Sequence, residues 1–425
     1  MRVLLVSPLR EQINMVTLPL GLGFVAQALK AHGHRVAIVD LSGEPDIPDP
    51  LGRAIAETDP EVIGISVRNV DDQNMRSTRF FLDQIREVVA ACRTLSDAPL
   101  VLGGAGYSIF PESCLEYLGV EMGIQGEAET AFPLLLSRLE RRASLSGVPG
   151  LYVRGRGLQA ARGFQRDLDR YAPLPEDSMW ISERYGVRDL WIPVQTRRGC
   201  GMRCSYCSTA AIEGTASRCR SPASVRDWIA SYVRKGLRRF HFVDNTFNVP
   251  APYARELCTL LAEAAMEVSW RAILYPWRMD PDLVRTMARA GCTEAALGFE
   301  SGSEGILRSM NKRFTRAEVH DLSWRLADCG IYQMGFLLLG GPGETRETID
   351  ESLAFADSLP LDTVKVTVGI RIYPETPLAR IAAEKGMIRP DDDLLLPRFY
   401  LEPGLAEWLF DTVEDYVAQR PNWVL

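Results

Sequence analysis

Short apolar runs alternate with amphipathic stretches over the first 140 residues. The runs are rich in Val, Leu and Ile and cover residues 2–7, 35–40, 62–67, 100–104 and 122–126. Between them, apolar side chains recur at helical spacing in residues 20–31, 80–92 and 127–139. Continuous apolar strands separated by helices predict an α/β fold, with a doubly wound parallel sheet in residues 1–140.

The residues that follow these strands are candidate ligand contacts. Doubly wound sheets bind ligands at the carboxyl ends of their strands, and small residues there let the backbone approach a ligand closely. The strand ends carry Ser7-Pro8, Arg68-Asn69, Gly103-Gly104-Ala105-Gly106 and Gly126-Glu127.

The second half of the chain repeats the alternation after a polar connector. Residues 141–188 contain several Gly and Pro residues and predict a linker, with a candidate strand at residues 151–153. From residue 189 to residue 390, six β/α units follow, with strands at residues 191–195, 240–245, 270–275, 295–300, 333–340 and 364–373. Residues 391–425 form a short tail that contains Trp408 and Trp423 and is a candidate lid.

Length, charge and cysteine content narrow the functional classes. A chain of 425 residues favours two domains. The net charge of −7 without a basic block argues against nucleic acid as a partner. No run approaches about 18 apolar residues, so the sequence predicts no membrane span. Nine cysteines without a signal peptide indicate a reducing cytoplasm and metal chemistry instead of disulfides.

Three of those cysteines form the most specific motif in the chain. Cys200, Cys204 and Cys207 follow the spacing C-x3-C-x2-C, which supplies three thiolates from one loop. Structural zinc sites take four protein ligands, and electron-carrying [4Fe–4S] clusters take four cysteines. Three ligands on a four-iron cluster leave one iron open to a small molecule. Two alternatives to such a cluster are a zinc site that a distant residue completes and three thiols with unrelated roles.

The cysteine run, with Tyr206 before its last cysteine, closely resembles the signature of radical S-adenosylmethionine (SAM) enzymes. The resemblance implies a partial (β/α)6 TIM barrel over residues 189–390, with its chemistry at the carboxyl ends of the strands. It also implies SAM contacts in several segments that resemble family motifs. The implied SAM-binding residues are Tyr206, Asp244, Asn245, Glu300, Ser301, Gly340, Gly341, Gly343, Glu344, Ile372 and Tyr373.

The resemblance assigns roles to some of these positions. Glu300 is expected to accept hydrogen bonds from the ribose hydroxyls of SAM, and residues 335–345 are expected to pack against its adenine. The main chain of residues 372–377 is expected to read the adenine edge. Residues 244–248 replace the second-strand motif that helps to bind the SAM amino group. Two roles are open for Arg220: it binds the carboxylate of SAM, or it caps a loop.

The first domain resembles the Rossmann-like cobalamin-binding domain that precedes the radical domain in one large class of these enzymes. The resemblance lies in three segments, which are Leu18-Pro19-Leu20-Gly21, where the family reads P-L-G-L, Gly103-Gly104 with Pro111-Glu112 following, and Gly126-Glu127-Ala128-Glu129, where it reads G-E-x-E. It implies the cobalamin-binding residues Leu20, Gly21, Arg68, Asn69, Gly103, Gly104, Ala105, Gly126 and Glu127. The D-x-H-x-x-G motif that places a histidine on cobalt is absent, so a domain that keeps the fold without a corrinoid is the alternative.

Together the two resemblances imply a cobalamin-dependent methyltransferase. Cys200, Cys204 and Cys207 would hold a [4Fe–4S] cluster, at which one electron from a flavodoxin- or ferredoxin-type reductant cleaves SAM to a 5′-deoxyadenosyl radical. Methylcobalamin would then methylate a carbon or phosphorus of a small-molecule substrate. The protein supplies orientation and excludes water, because the cofactors carry the difficult chemistry.

Three other functions fit parts of the sequence. A radical SAM enzyme without cobalamin would catalyse a rearrangement, a cyclisation or the transfer of the aminocarboxypropyl group of SAM. An iron–sulfur sensor or carrier would not cleave SAM, and a zinc-binding interaction protein would be colourless. RNA methylthiolation is disfavoured, because Cys92 and Cys114 cannot supply a second three-cysteine cluster in the first domain.

Overall fold

The computed structural model describes residues 1–9, 18–44, 47–172 and 190–425. Its first half contains the strands β1 to β7, which are Arg2–Ser7, Arg35–Asp40, Val62–Ser66, Leu100–Gly103, Met122–Ile124, Leu151–Val153 and Gly157–Leu158. They form one seven-stranded sheet in the order β2-β1-β3-β4-β5-β6-β7. Strands β1 to β5 are parallel, which confirms the predicted doubly wound sheet, and the chain order reverses between β1 and β3.

Helices cover both faces of this sheet. Leu20–Ala31 and Ala128–Glu140 pack together on one face, and Pro48–Thr58, Leu82–Leu95 and Pro111–Leu118 lie on the other. The short helix Ala105–Ile109 follows β4 directly. Their apolar faces bury against the strands, as a parallel sheet requires.

The predicted linker contains part of the first sheet. Strand β6 pairs antiparallel with β5, and β7 pairs antiparallel with β6. Residues 151–158 therefore extend the first sheet, and a 3-10 helix follows at Leu168–Arg170. Residues 173–188 of the predicted linker lie outside the described residues.

The second half of the chain forms a parallel, open barrel. Its strands β8 to β18 are Ile192–Val194, Arg197–Arg198, Arg218–Cys219, Arg239–Phe242, Ser269–Leu274, Cys292–Glu300, Tyr332–Leu339, Thr363–Val368, Ile370–Arg371, Phe399–Tyr400 and Trp423–Val424. Seven of them make the second sheet, in the order β18-β15-β14-β13-β12-β11-β8. Two small antiparallel pairs, β9 with β10 and β16 with β17, accompany it. The six predicted strands are thus confirmed, and the tail supplies a seventh, β18, which pairs with β15.

Helices connect and flank these strands. They are Thr209–Glu213, Pro222–Val233, Ala251–Glu263, Pro281–Arg289, Glu304–Ser309, Arg316–Asp328, Arg346–Asp357, Pro377–Glu384 and Ala406–Ala418. The local sequence explains where several helices begin. Thr315 and Glu318 form a capping box at the start of Arg316–Asp328. Proline is the first residue of Pro281–Arg289 and of Pro377–Glu384. None of the helices that the structure describes is long and apolar enough to cross a membrane.

The hydrophobic core is shared between the two halves of the chain. Phe24 of the first half packs in one cluster with Trp228 and the strands of the second sheet. A second cluster combines Tyr107 and the helices of the first domain with Met310 and Tyr400. The two sheets are therefore joined by continuous apolar packing.

Candidate functional site

A cavity of about 1130 Å³ lies between the two sheets. It exceeds the pockets of about 300–1,000 Å³ that hold drug-sized ligands. Its wall combines loops at the carboxyl ends of the first sheet with the inner face of the second sheet and with Tyr206 and Glu300. All the residues predicted to bind cobalamin line it, namely Leu20, Gly21, Arg68, Asn69, Gly103, Gly104, Ala105, Gly126 and Glu127.

The loops after β3 and β4 approach each other closely at Gly104. Gly104 has a φ of +101°, and a Cβ atom there would lie 2.6 Å from the carbonyl oxygen of Val67. The neighbouring Gly106 N–H donates to the carbonyl of Arg68 at 2.9 Å. Only glycine fits this position, and the contact holds Arg68 and Asn69 at the cavity wall.

The predicted cobalamin residue Glu127 also joins the two domains. Its carboxylate lies 2.6 Å from Arg218 and 3.5 Å from Arg198. Glu129 accepts a hydrogen bond from Arg198 at 2.6 Å. Burial opposes the charge of Glu129, yet Arg198 lowers the pKa of its carboxyl below the ordinary value. The G-E-x-E segment therefore supplies the acidic half of a buried interdomain ion-pair network.

A second buried ion pair joins the domains on another side of the cavity. Arg371 Nε donates to Asp71 Oδ2 at 2.9 Å, and both side chains are 1% exposed. The other guanidinium nitrogens of Arg371 donate to the carbonyls of Ile372, Leu394 and Leu395. Asp71 follows the Arg68-Asn69 loop, so this pair connects the first-sheet loop to the segment before Ile372.

The three motif cysteines lie on one loop between β9 and the helix Thr209–Glu213. Cys200 N–H donates to the carbonyl of Gly214, and Cys207 N–H donates to that of Cys204. Burial raises the pKa of the Cys204 thiol to about 11, and Cys207 and Cys200 add to that shift. The three thiols are thus within electrostatic reach of one another, and metal binding must displace their protons.

Residues 310–313 hold the cysteine loop in place. Asn311 Nδ2 donates to the carbonyl of Arg203 at 2.6 Å, and Arg313 donates to the carbonyl of Gly201 at 2.8 Å. Ser205 N–H donates to the carbonyl of Met310. Met310 and Asn311 belong to a segment that resembles a family motif, but nothing in the sequence indicated that they contact the cysteine loop.

Glu300 lies at the cavity wall beside the cysteine loop. Its Oε1 accepts hydrogen bonds from Tyr206 Oη at 3.1 Å and from Lys312 Nζ at 3.3 Å. Burial alone would lower the pKa of Lys312, but Glu300 raises it well above the ordinary value. Lys312 therefore stays charged and fixes the Glu300 carboxylate, a role that the sequence did not reveal.

The predicted adenine loop is shaped by Glu344. The N–H groups of Gly340 and Gly341 both donate to Glu344 Oε2, and Gly343 N–H donates to Glu402 at 2.9 Å. Burial raises the pKa of the Glu344 carboxyl to about 7. Glu344 thus acts within the loop, and its place at SAM stays a prediction.

The other residues predicted at SAM are mostly engaged inside the protein. Asp244 accepts from the N–H groups of Thr196 and Arg197. Asn245 donates to Glu213. Ser301 is hydrogen-bonded to Ser352, and Ile372 is fully buried. The ring of Tyr373 lies against the guanidinium of Arg371. None of these five lines the cavity, so direct contact with SAM stays a prediction.

Arg220 resolves the choice left open by the sequence. It is 2% exposed and donates to the carbonyls of Gln195, Leu168 and Tyr171. Its guanidinium also lies over the Phe24 ring, 4.8 Å from the centroid. The structure therefore places Arg220 as a loop cap between the domains.

The donor sets fit the groups that the sequence implies. Among the described residues, no three His, Cys, Asp or Glu side chains are arranged to hold a single metal ion. Iron–sulfur clusters are held by cysteine thiolates on separate irons, so the three cysteines of one loop need not meet at one point. The Glu300 carboxylate suits hydroxyl donors. The large cavity with its glycine edge suits a bulky cofactor.

Comparison with known proteins agrees with this geometry. Residues 194–356 match the radical SAM superfamily, and residues 6–136 match the B12 binding domain. The chain is 24% identical to an uncharacterized methyltransferase of Pyrococcus horikoshii over 399 residues, which cover 91% of this chain and 84% of that protein. It is also 24% identical to cytidylyl-2-hydroxyethylphosphonate methyltransferase of Streptomyces wedmorensis, over 92% of this chain and 84% of that protein.

Among solved structures, the fold resembles that of the radical SAM methyltransferase TsrM from Kitasatospora setae, solved with cobalamin and a [4Fe–4S] cluster bound. The TM-score is 0.87 at 22% identity, over 100% of this chain and 90% of that chain. This similarity establishes a common fold. The chain therefore carries a B12-binding domain followed by a radical SAM domain.

Proposed function

We propose that this protein is a cobalamin-dependent radical SAM methyltransferase that methylates carbon or phosphorus of a small molecule. One observation carries the proposal. A single cavity joins the glycine edge of the B12-binding domain to Tyr206 and Glu300 beside the cysteine loop. Two cofactors bound at these places would face a common space.

The relatives support methyl transfer. The proteins from Pyrococcus horikoshii and Streptomyces wedmorensis carry methyltransferase names, and TsrM has also been solved with tryptophan and a SAM analogue. The substrates that these names indicate, a nucleotide-linked phosphonate and tryptophan, are both small molecules.

The residues of this chain have distinct tasks in the proposed reaction. Cys200, Cys204 and Cys207 would hold the cluster, and Glu300, fixed by Lys312, would orient the SAM ribose. When bound, the cluster would supply one-electron cleavage of SAM, and cobalamin would supply methyl transfer. The apolar packing shared by the two domains would limit the access of bulk water to the space between them.

We place the reaction in the reducing cytoplasm, with an external electron donor of the flavodoxin or ferredoxin type. All nine cysteines are free thiols, which suits a reducing compartment. The C-terminal segment adds one helix and one strand that pack on the second sheet.

Anaerobic reconstitution with and without cobalamin tests the proposal. The purified protein is expected to bind four irons per chain by the chemistry of such clusters, to retain a corrinoid absorbance after gel filtration and to consume SAM. Mass analysis should then detect S-adenosylhomocysteine only when cobalamin is present. Methylthioadenosine as the SAM product, or the same products with and without cobalamin, would refute methyl transfer and favour aminocarboxypropyl transfer or rearrangement.

A further inference from the structure

The inner face of the second sheet is open, unlike that of a closed barrel. Side chains that face the helices, such as Leu337 and Val364, are buried, while those on the opposite face, such as Phe336 and Lys365, are half-buried. A complete TIM barrel fills this space with layers of side chains. Here the same face contributes to the cavity wall.

Lys365 places an ammonium group on this inner face of the second sheet. It is paired in register with Phe336 on the neighbouring strand, and both residues line the cavity. In the part of the chain that the structure describes, its Nζ has no hydrogen bond or ion pair. Lys312 and Lys385, by contrast, pair with Glu300 and Glu402.

Acidic side chains of the cavity wall have partners inside the protein. Glu300, Asp71 and Glu129 are paired as described above, and Asp72 pairs with Arg79 at 3.0 Å. Their charges are therefore compensated locally. The charge of Lys365 is left for a ligand, because a half-buried ammonium gains most from an anionic partner.

His241 adds a neutral polar group to the same face. It lines the cavity and is directly paired in register with Pro193 and Arg271 on the adjacent strands. Burial, with Arg271 and Arg68 nearby, lowers the pKa of His241 to about 4. The imidazole is therefore uncharged at neutral pH and does not compete for an anion.

Aromatic surface lies on the same side of the barrel. Phe336 and Trp191 line the cavity, and the guanidinium groups of Arg239 and Arg271 each lie 4.3 Å from the centroid of the Trp191 ring. A rigid aromatic wall binds flat or apolar groups well.

We propose that the substrate is an organic acid whose carboxylate or phosphoryl oxygens pair with Lys365 and whose apolar body lies against Phe336 and Trp191. This assignment rests on the proposed function, since it names the substrate class of the same cavity. It also makes Lys365 a specificity-determining residue.

Equilibrium dialysis with matched probes tests the assignment on the reconstituted holoprotein. The probes are indole-3-acetate with its neutral amide, and phenylphosphonate with its neutral diamide. At least one acid is expected to bind about 10-fold or more tightly than its neutral partner. The variant Lys365→Met should weaken that acid by about 10- to 100-fold, the range expected for a charged hydrogen bond, while Lys365→Arg should retain most of the affinity.

A surface variant and the corrinoid content of Lys365→Met serve as controls. Lys30→Met, on the exposed surface of the first domain, should leave binding of the acid unchanged. Corrinoid content should be normal in Lys365→Met; its loss would show that Lys365 holds the cobalamin phosphodiester and would overturn the assignment. Equal binding of acids and neutral partners would also overturn it. SAM consumption and cobalamin-dependent S-adenosylhomocysteine report separately on the proposed function.

Discussion

Replacing Asp71 by asparagine removes the negative half of a buried interdomain ion pair while keeping the shape of the side chain. Asparagine can still accept the hydrogen bond that Gln73 N–H gives to Asp71 Oδ1 at 2.9 Å. Arg371, 1% exposed, would lose its only carboxylate partner among the described residues. Its charge would then be balanced by backbone carbonyls alone.

The expected loss of stability follows from that uncompensated charge. Breaking a buried pair by removing one partner costs about 3–5 kcal/mol. At about 2.1 cal/mol/K per residue, 425 residues that unfold together have an unfolding entropy of about 0.9 kcal/mol/K. Asp71→Asn should therefore lower the Tm by about 3–6 °C.

Calorimetry of the apoprotein measures this change, and an exposed pair provides the control. Arg389 and Asp391 lie 3.5 Å apart with both side chains 80% exposed, so Asp391→Asn should cost less than about 1 kcal/mol. If Asp71→Asn shifts the Tm no more than Asp391→Asn does, the ion pair does not stabilise the domain interface.

Three further substitutions probe the cofactor sites. Cys204→Ala should abolish bound iron and its visible absorbance, whereas Cys329→Ala, outside the motif, should leave both intact; iron retained in Cys204→Ala would exclude the proposed cluster loop. Glu300→Gln should weaken SAM binding by about 10- to 100-fold, because charged hydrogen bonds contribute about 1.5–3 kcal/mol; an unchanged SAM Kd in dialysis would remove Glu300 from the SAM site. Gly104→Ala should abolish corrinoid retention, because its Cβ would meet a backbone carbonyl, while Gly33→Ala, also at positive φ but with open space around it, should not. Equal corrinoid retention in the two variants would argue against the close loop contact.

The sequence predicted features that depend on neighbouring residues. Apolar runs predicted most of the strands of both sheets, and the spacing of Cys200, Cys204 and Cys207 predicted the cysteine loop, because both patterns lie within a few residues. Strand β18, Trp423–Val424, escaped prediction, because two residues are too short to show a period.

Contacts between distant residues could not be predicted in this way. Tyr206 and Glu300 are 94 positions apart, and Asp71 and Arg371 are 300 apart. Periodicity reports which face of an element is buried, but it does not identify the partner of a charge. Glu127 illustrates the limit: its position at a strand end was predicted correctly, while its ion pairs with the second domain came from the structure.

The shared core limits how this protein can be taken apart. Phe24 and Tyr107 of the first domain pack into clusters that continue through Trp228, Met310 and Tyr400. A fragment that carries the second sheet alone would expose apolar surface along this seam and would tend to aggregate. Chimeras that exchange only one of the two domains with a relative must therefore rebuild the seam on both sides. For protein engineering, the exchangeable module is the whole pair of domains.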